Sequence, residues 1–267
     1  MSQASESLVA PVYHSERVKC LEIFYGEGFL SSEGEAKCKA SVEHLKLKAG
    51  DSILDVGTGS GGFAFYLAEH VGAVVTGVDY CTNLVDLCNE RCKKKVLGDK
   101  ISFLAKDMRD MQFKSKSFDA ISFLGSLIHI KCEEHLPIFT NVRNWLKPGG
   151  RVIFQGLVTC DCPASSTQEF KDYRTSLHFN DVTVADYHKL IPMAGLRLLE
   201  YQSRKEFYIQ DTITRQAKVK ENWNQILKVV SIETLEHCFK FFADKRKWAE
   251  EGAMFTCIFL AERPRDM

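Results

Sequence analysis

The sequence carries no surplus of charge. Thirty-five Lys and Arg residues balance thirty-five Asp and Glu in 267 residues, so no electrostatic footprint for nucleic acid is expected. The one basic run, Lys93-Lys94-Lys95, reads as the last turn of a helix, where the helix dipole favours cations. No window approaches the ~18 consecutive apolar residues of a membrane span. No charged leader precedes an apolar core at the N-terminus either. Neither a membrane partner nor export is therefore expected, and the expected compartment is cytoplasmic. The ten cysteines lack paired spacing in a chain too long to need staples, which implies reduced thiols. Cys160-Asp161-Cys162 has no second Cys/His pair at zinc-finger distance, so no metal is expected there. Internal repeats and low-complexity blocks are also missing.

What the chain does hold is the stretch Ile53-Leu54-Asp55-Val56-Gly57-Thr58-Gly59-Ser60-Gly61-Gly62, which runs on into an amphipathic segment. This pattern reads as a buried strand, a tight turn and a helix N-terminus. The glycines remove Cβ atoms that would hold a ligand away, and first-turn N–H groups stay free as donors. Asp55 decides which ligand is expected. A carboxylate there repels a pyrophosphate and attracts an ammonium or a sulfonium. S-adenosylmethionine carries both, so Gly57 and Gly59 are expected to cradle it.

Strands at 53–56, 74–79, 101–105, 118–123 and 151–155 alternate with helices. This predicts an α/β fold, a doubly wound Rossmann-like, mostly parallel sheet. Ligands of such sheets collect at the carboxyl ends of the strands, so Asp55, Asp79, Asp107 and the 124–129 segment should converge. Asp79 ends the second strand and suits the two ribose hydroxyls, with Tyr80 beside it; a helix N-cap is the competing reading. Asp107-Met108 ends the third strand, where a carboxylate can accept from an adenine amino group and an apolar neighbour can flank the ring; a plain turn aspartate competes.

Order is expected to begin near Val9 to Tyr13, ahead of helices at 16–24 and 35–45. Between these helices, residues 25–34 read as a binding loop. Beyond 160 the rhythm changes to helices at 169–176, 184–193 and 212–230 and strands at 196–202 and 254–261. This suggests an edge hairpin with a helical lid. One domain is expected, with an arm at 1–48, a cofactor core at 49–160, and an acceptor lid with terminal strands at 161–267.

With the turn Leu146-Lys147-Pro148-Gly149-Gly150, residues 50–155 resemble the class I methyltransferases, which implies a seven-stranded sheet and S-adenosylmethionine as cofactor. A closer resemblance covers nearly the whole chain. Phe24-Tyr25-Gly26-Glu27-Gly28-Phe29-Leu30-Ser31-Ser32, Asp55-Val56-Gly57, Asn89-Glu90-Arg91, Ile128-His129 and Trp145-Leu146-Lys147-Pro148 resemble the phosphoethanolamine N-methyltransferases of protozoa, nematodes and plants. That resemblance implies methyl transfer to a small-molecule amine, with Ser31 at the cofactor. It also implies a hydrogen-bonded tyrosine–histidine pair over the acceptor nitrogen, at Tyr13 and His129.

The family's acceptor-binding residues are replaced. Leu124-Gly125 stands where it has an Arg-Asp pair, Gly156 where it has a phosphate-binding tyrosine, and Leu177-His178-Phe179 where it has Arg-x-Tyr. Only a basic residue within 240–247 is left to meet a phosphate. The replacements imply a larger, less charged chamber for a bulkier and less polar amine, walled by Tyr25 and Phe179.

Phosphobase methylation and small-molecule O-methylation stand as alternatives. A nicotinamide oxidoreductase would share the glycine loop but has no use for Asp55 and Asp107. A non-catalytic cofactor-binding partner would account for the replaced acceptor positions but not for the retained Tyr13 and His129.

Overall fold

Five apolar runs form parallel strands, as buried runs in doubly wound folds do. The computed structural model describes residues 13–265; the expected onset of order at 9–12 lies outside them. The strands are β1 (Ser52–Val56), β2 (Val74–Asp79), β3 (Ile101–Ala105), β4 (Phe118–Leu124) and β5 (Leu146–Thr159), joined by β6 (Arg197–Ser203) and β7 (Met254–Glu262). They form one seven-stranded sheet in the order β3-β2-β1-β4-β5-β7-β6, with β7 antiparallel to both neighbours. The late strands therefore do form an edge hairpin, with β7 as its inner member.

Helices α1 (Ser15–Tyr25) and α2 (Ala36–Leu45) precede the sheet, and α3 (Gly62–Tyr66), α4 (Thr82–Lys95) and α5 (Cys132–Trp145) make its crossovers. Beyond β5 lie α6 (Gln168–Ser176), α7 (Val184–Met193), α8 (Lys205–Glu221), α9 (Trp223–Ile226) and α10 (Ile232–Glu250). None of the described helices is long and apolar enough to cross a membrane.

Two elements differ from the sequence reading. β5 starts at Leu146 rather than 151, because the Pro-Gly-Gly turn is absorbed as an irregularity opposite Phe118 and Ala120. The single helix expected at 212–230 is instead α8, which begins at Lys205 and ends at Glu221, and the short α9; α10, at Ile232–Glu250, lies where the sequence reading has no element. Ser231 caps α10 by accepting from the Thr234 N–H, and the helix buries Leu235, Cys238, Phe242, Lys245 and Ala249.

α10 and the arm close over the crevice. Phe24 of α1 stacks on Phe242 of α10 with centroids 4.4 Å apart. Glu22 of α1 takes a forked pair of bonds from Arg91 of α4, at 2.7 and 2.8 Å, and accepts from the Gly28 N–H at 2.9 Å. Such a bidentate pair fixes orientation as well as distance.

Candidate active site

β1 runs into the glycine loop, where the N–H groups of Gly57 and Thr58 both donate to the Val78 carbonyl, at 2.7 and 3.0 Å. Gly57 has φ +74°, and a Cβ there would lie 2.2 Å from the Ser126 Cβ. A side chain is excluded on both counts. The arm rests on the same loop: the Gly62 N–H donates to the Gly28 carbonyl at 2.9 Å. One cleft along the strand ends is lined by Ser31, Asp55, Gly57, Gly59, Asp79, Tyr80, Asp107 and Met108, together with Tyr13, Lys37 and His129. The residues read from the sequence as cofactor-binding thus converge.

Their charges differ in use. Both Asp55 oxygens accept hydroxyls, from Thr58 at 2.8 Å and Ser122 at 2.7 Å. Burial raises its pKa and these two bonds work against the rise. Asp79 accepts from the Gly59 N–H at 2.9 Å and the Cys81 N–H at 3.0 Å, so it bridges the glycine loop and the start of α4. Burial raises it to about 6, against these bonds. A carboxylate so buried gains from further donors, and a ribose diol supplies two.

Asp107 is held by Arg109, through its N–H and Nε at 2.9 Å and through Nη2 at 2.5 Å. Burial pushes its pKa up, and the bonds from Arg109 more than offset this and hold it low. The Arg109 N–H bond is the turn contact of the competing reading, and the remaining lone pairs can still accept an adenine amino group. A glycine cradle, two buried carboxylates and apolar Met108 fit S-adenosylmethionine.

A second cavity opens beyond Gly125, lined by Tyr13, Ser31, Lys37, His129, Gly156, Phe179 and Lys245 among others. The Tyr13 hydroxyl lies 3.3 Å from His129 Nε2. His129 Nδ1 lies 3.3 Å from the His178 carbonyl, which can only accept, so Nδ1 carries the proton and Nε2 receives the Tyr13 hydroxyl. Burial lowers His129 to about 4, and the bond to His178 opposes this. Burial, followed by the charge of Asp79, lifts Tyr13 to about 12. At neutral pH the pair is phenol and neutral imidazole. Phe179 packs its ring 5.4 Å from that of His129. Gly125, just past the end of β4, lies against Gly156 of β5: a Cβ at Gly156 would lie 3.8 Å from the Gly125 Cα.

Tyr25 and Leu177 line neither cavity. Tyr25 is buried behind the chamber and receives the Lys245 ammonium at 3.3 Å on its hydroxyl, while Leu177 is buried at the end of α6. The expected loss of charge is not observed either. Lys37 and Lys245, each 5% exposed, line the chamber. Burial lowers Lys245 to about 7; Asp211 opposes this, and Arg17, Arg215 and Lys37 add to it.

The sequence reading missed Lys37, although it shares the buried face of α2 with Ser41 and Leu45, at helical spacing. Lys245 fell only within a broad basic stretch. Its spacing from Cys238 and Phe242 on α10 was the available signal.

Residues 53–150 match a family model described as a methyltransferase domain. Together with the sheet order and the cleft, this makes the chain a class I S-adenosylmethionine-dependent methyltransferase. Phosphoethanolamine N-methyltransferase of Plasmodium falciparum (isolate 3D7) is 28% identical over 222 residues, which cover 82% of this chain and 81% of that protein. Phosphoethanolamine N-methyltransferase 1 of Triticum aestivum is 27% identical over 251 residues, covering 94% of this chain but 49% of that protein. The chain therefore spans about half the length of that plant relative. Among solved structures, Haemonchus contortus phosphoethanolamine N-methyltransferase 2, in complex with phosphomonomethylethanolamine and S-adenosylhomocysteine, superposes with a TM-score of 0.93 at 19% identity. That match covers 99% of this chain and 61% of the other, and shows a shared fold.

Proposed function

We propose that the enzyme methylates a small-molecule amine whose nitrogen meets the Tyr13–His129 pair. The observation that carries this reading is the Tyr13 hydroxyl 3.3 Å from His129 Nε2, where the cofactor cleft joins the inner chamber. Relatives named phosphoethanolamine N-methyltransferases support it.

Bound S-adenosylmethionine supplies an electrophilic methyl group on a sulfonium. The chain must present a nitrogen with a free electron pair. His129, fixed through Nδ1 to His178, draws the Tyr13 hydroxyl proton toward Nε2. The Tyr13 oxygen then has lone pairs left for an N–H of the incoming ammonium. The ammonium proton passes to that oxygen as the phenol proton passes to Nε2, and the pair of the broken N–H bond stays on nitrogen. With its phenol raised to about 12, Tyr13 does not rest as a phenolate, so the two transfers are coupled. At about 4, His129 is a transit point for the proton rather than its store. The arm brings Tyr13 over the cleft, and α10 lines the inner chamber through Phe241 and Lys245.

A specific observation favours an acceptor with an anionic group beside its amine: Lys245 is buried at the chamber wall. The phosphobases of the named relatives have this chemistry, and so does a carboxylate-bearing amine. The test is transfer of a labelled methyl group to ethanolamine, phosphoethanolamine, glycine and an aromatic amine. N-methyl product that disappears with His129→Ala supports the proposal. Label appearing only on oxygen, or N-methylation untouched by His129→Ala, refutes it.

A further inference from the structure

Lys37 is a cation that the proposed proton transfer does not use. It lies on the first turn of α2, is 5% exposed, and lines both the cofactor cleft and the acceptor chamber. Its ammonium donates to the Ser31 hydroxyl at 2.6 Å and forms no ion pair within 4 Å among the described residues. The nearby carboxylates are already committed. Glu33 is held by Arg204 at 2.8 Å and Gln155 at 3.0 Å, and Asp55 by its two hydroxyl donors. A buried ammonium whose partners are one neutral hydroxyl and the Phe29 ring, 5.9 Å away, is costly unless an anion arrives.

From these placements we infer that Lys37, together with Ser31, is the seat of the cofactor's carboxylate. The amino-acid end of S-adenosylmethionine carries an ammonium and a carboxylate on one carbon, so its site must offer both signs of charge close together. Asp55 and Lys37 line the same cleft and act on each other electrostatically. The other cations lining the cleft, Lys106 and Arg109, flank Asp107 at the end of β3, and Arg109 is already bound to Asp107 and Glu134.

The test is calorimetric titration of the intact chain, with no acceptor present, using S-adenosylhomocysteine and an analogue in which hydrogen replaces its carboxylate. The wild type is expected to prefer S-adenosylhomocysteine by about tenfold or more, as charge-assisted bonds give. Lys37→Met should lose that preference by binding S-adenosylhomocysteine as weakly as the wild type binds the analogue, with its affinity for the analogue unchanged. A wild type indifferent to the carboxylate overturns the inference without any variant. So does a Lys37→Met chain that keeps the preference or weakens both ligands equally. Lys37→Gln serves if the methionine variant does not fold. A chain that passes this test but methylates no amine would sink the proposed function and leave Lys37 in place.

Discussion

The Tyr13 hydroxyl meets His129 Nε2 at 3.3 Å, with the two rings edge-on at 82°. One residue precedes α1 and the other ends the turn after β4, so the pair exists only when the arm lies on the glycine loop. Asn83 helps hold it there by donating to the Tyr13 carbonyl at 2.8 Å.

Gly62→Ala tests that docking. A Cβ at this position would lie 2.5 Å from the Gly28 carbonyl oxygen, which the backbone must move to relieve. We expect a loss of about 1–3 kcal/mol in stability, typical of overpacking, and weaker binding of S-adenosylhomocysteine. Denaturant unfolding and calorimetry read the two effects; unchanged values for both would mean the arm is not seated on the loop.

The pKa of Asp79 near 6 gives cofactor binding a pH dependence. Hydroxyl donors favour its ionised form, so affinity for S-adenosylhomocysteine should fall as pH drops through about 6. Asp79→Asn should weaken binding and flatten that profile. A wild-type affinity constant from pH 5 to 7.5 would separate Asp79 from the ribose.

His129 titrates near 4 in the fold against 6.5 in a free side chain. Between these values the unfolded chain binds a proton that the folded chain refuses, so stability falls as pH drops from 6.5 toward 4. Solvent in the cleft screens the effect, leaving up to about 2 kcal/mol. His129→Gln should show a shallower loss of urea midpoint over that range, and parallel curves for the two proteins would contradict the assignment.

Lys245 sits near 7, so it is charged below neutrality and loses its proton above. For an anionic acceptor, kcat/KM should decline as pH rises through 7, and Lys245→Met should cost about tenfold or more below pH 7 and remove the decline. An uncharged amine should show neither effect.

Much of this site could be read from the chain because interior parallel strands are continuous apolar runs, and the interruptions at Asp55, Asp79 and Asp107 mark their ends. The acceptor side was less legible. Tyr25 reads as a wall, yet as the last residue of α1 it faces α10 and supports Lys245. Lys37 and Lys245 are polar residues on buried helix faces, where composition suggests solvent and only helical spacing suggests the interior. The boundary between α8 and α10 depends on how both pack against α1, which local sequence does not encode.

The most direct test of the account is a double-mutant cycle on single-turnover methyl transfer, using Tyr13→Phe, His129→Ala and both together with cofactor saturating. If the pair moves one proton as a unit, His129→Ala should slow transfer by about 10²–10⁴-fold, the range for a positioned acid–base group. The double variant should then be scarcely slower than His129→Ala alone. Losses that simply multiply, or a His129→Ala enzyme at the wild-type rate, would contradict a shared role at the acceptor nitrogen.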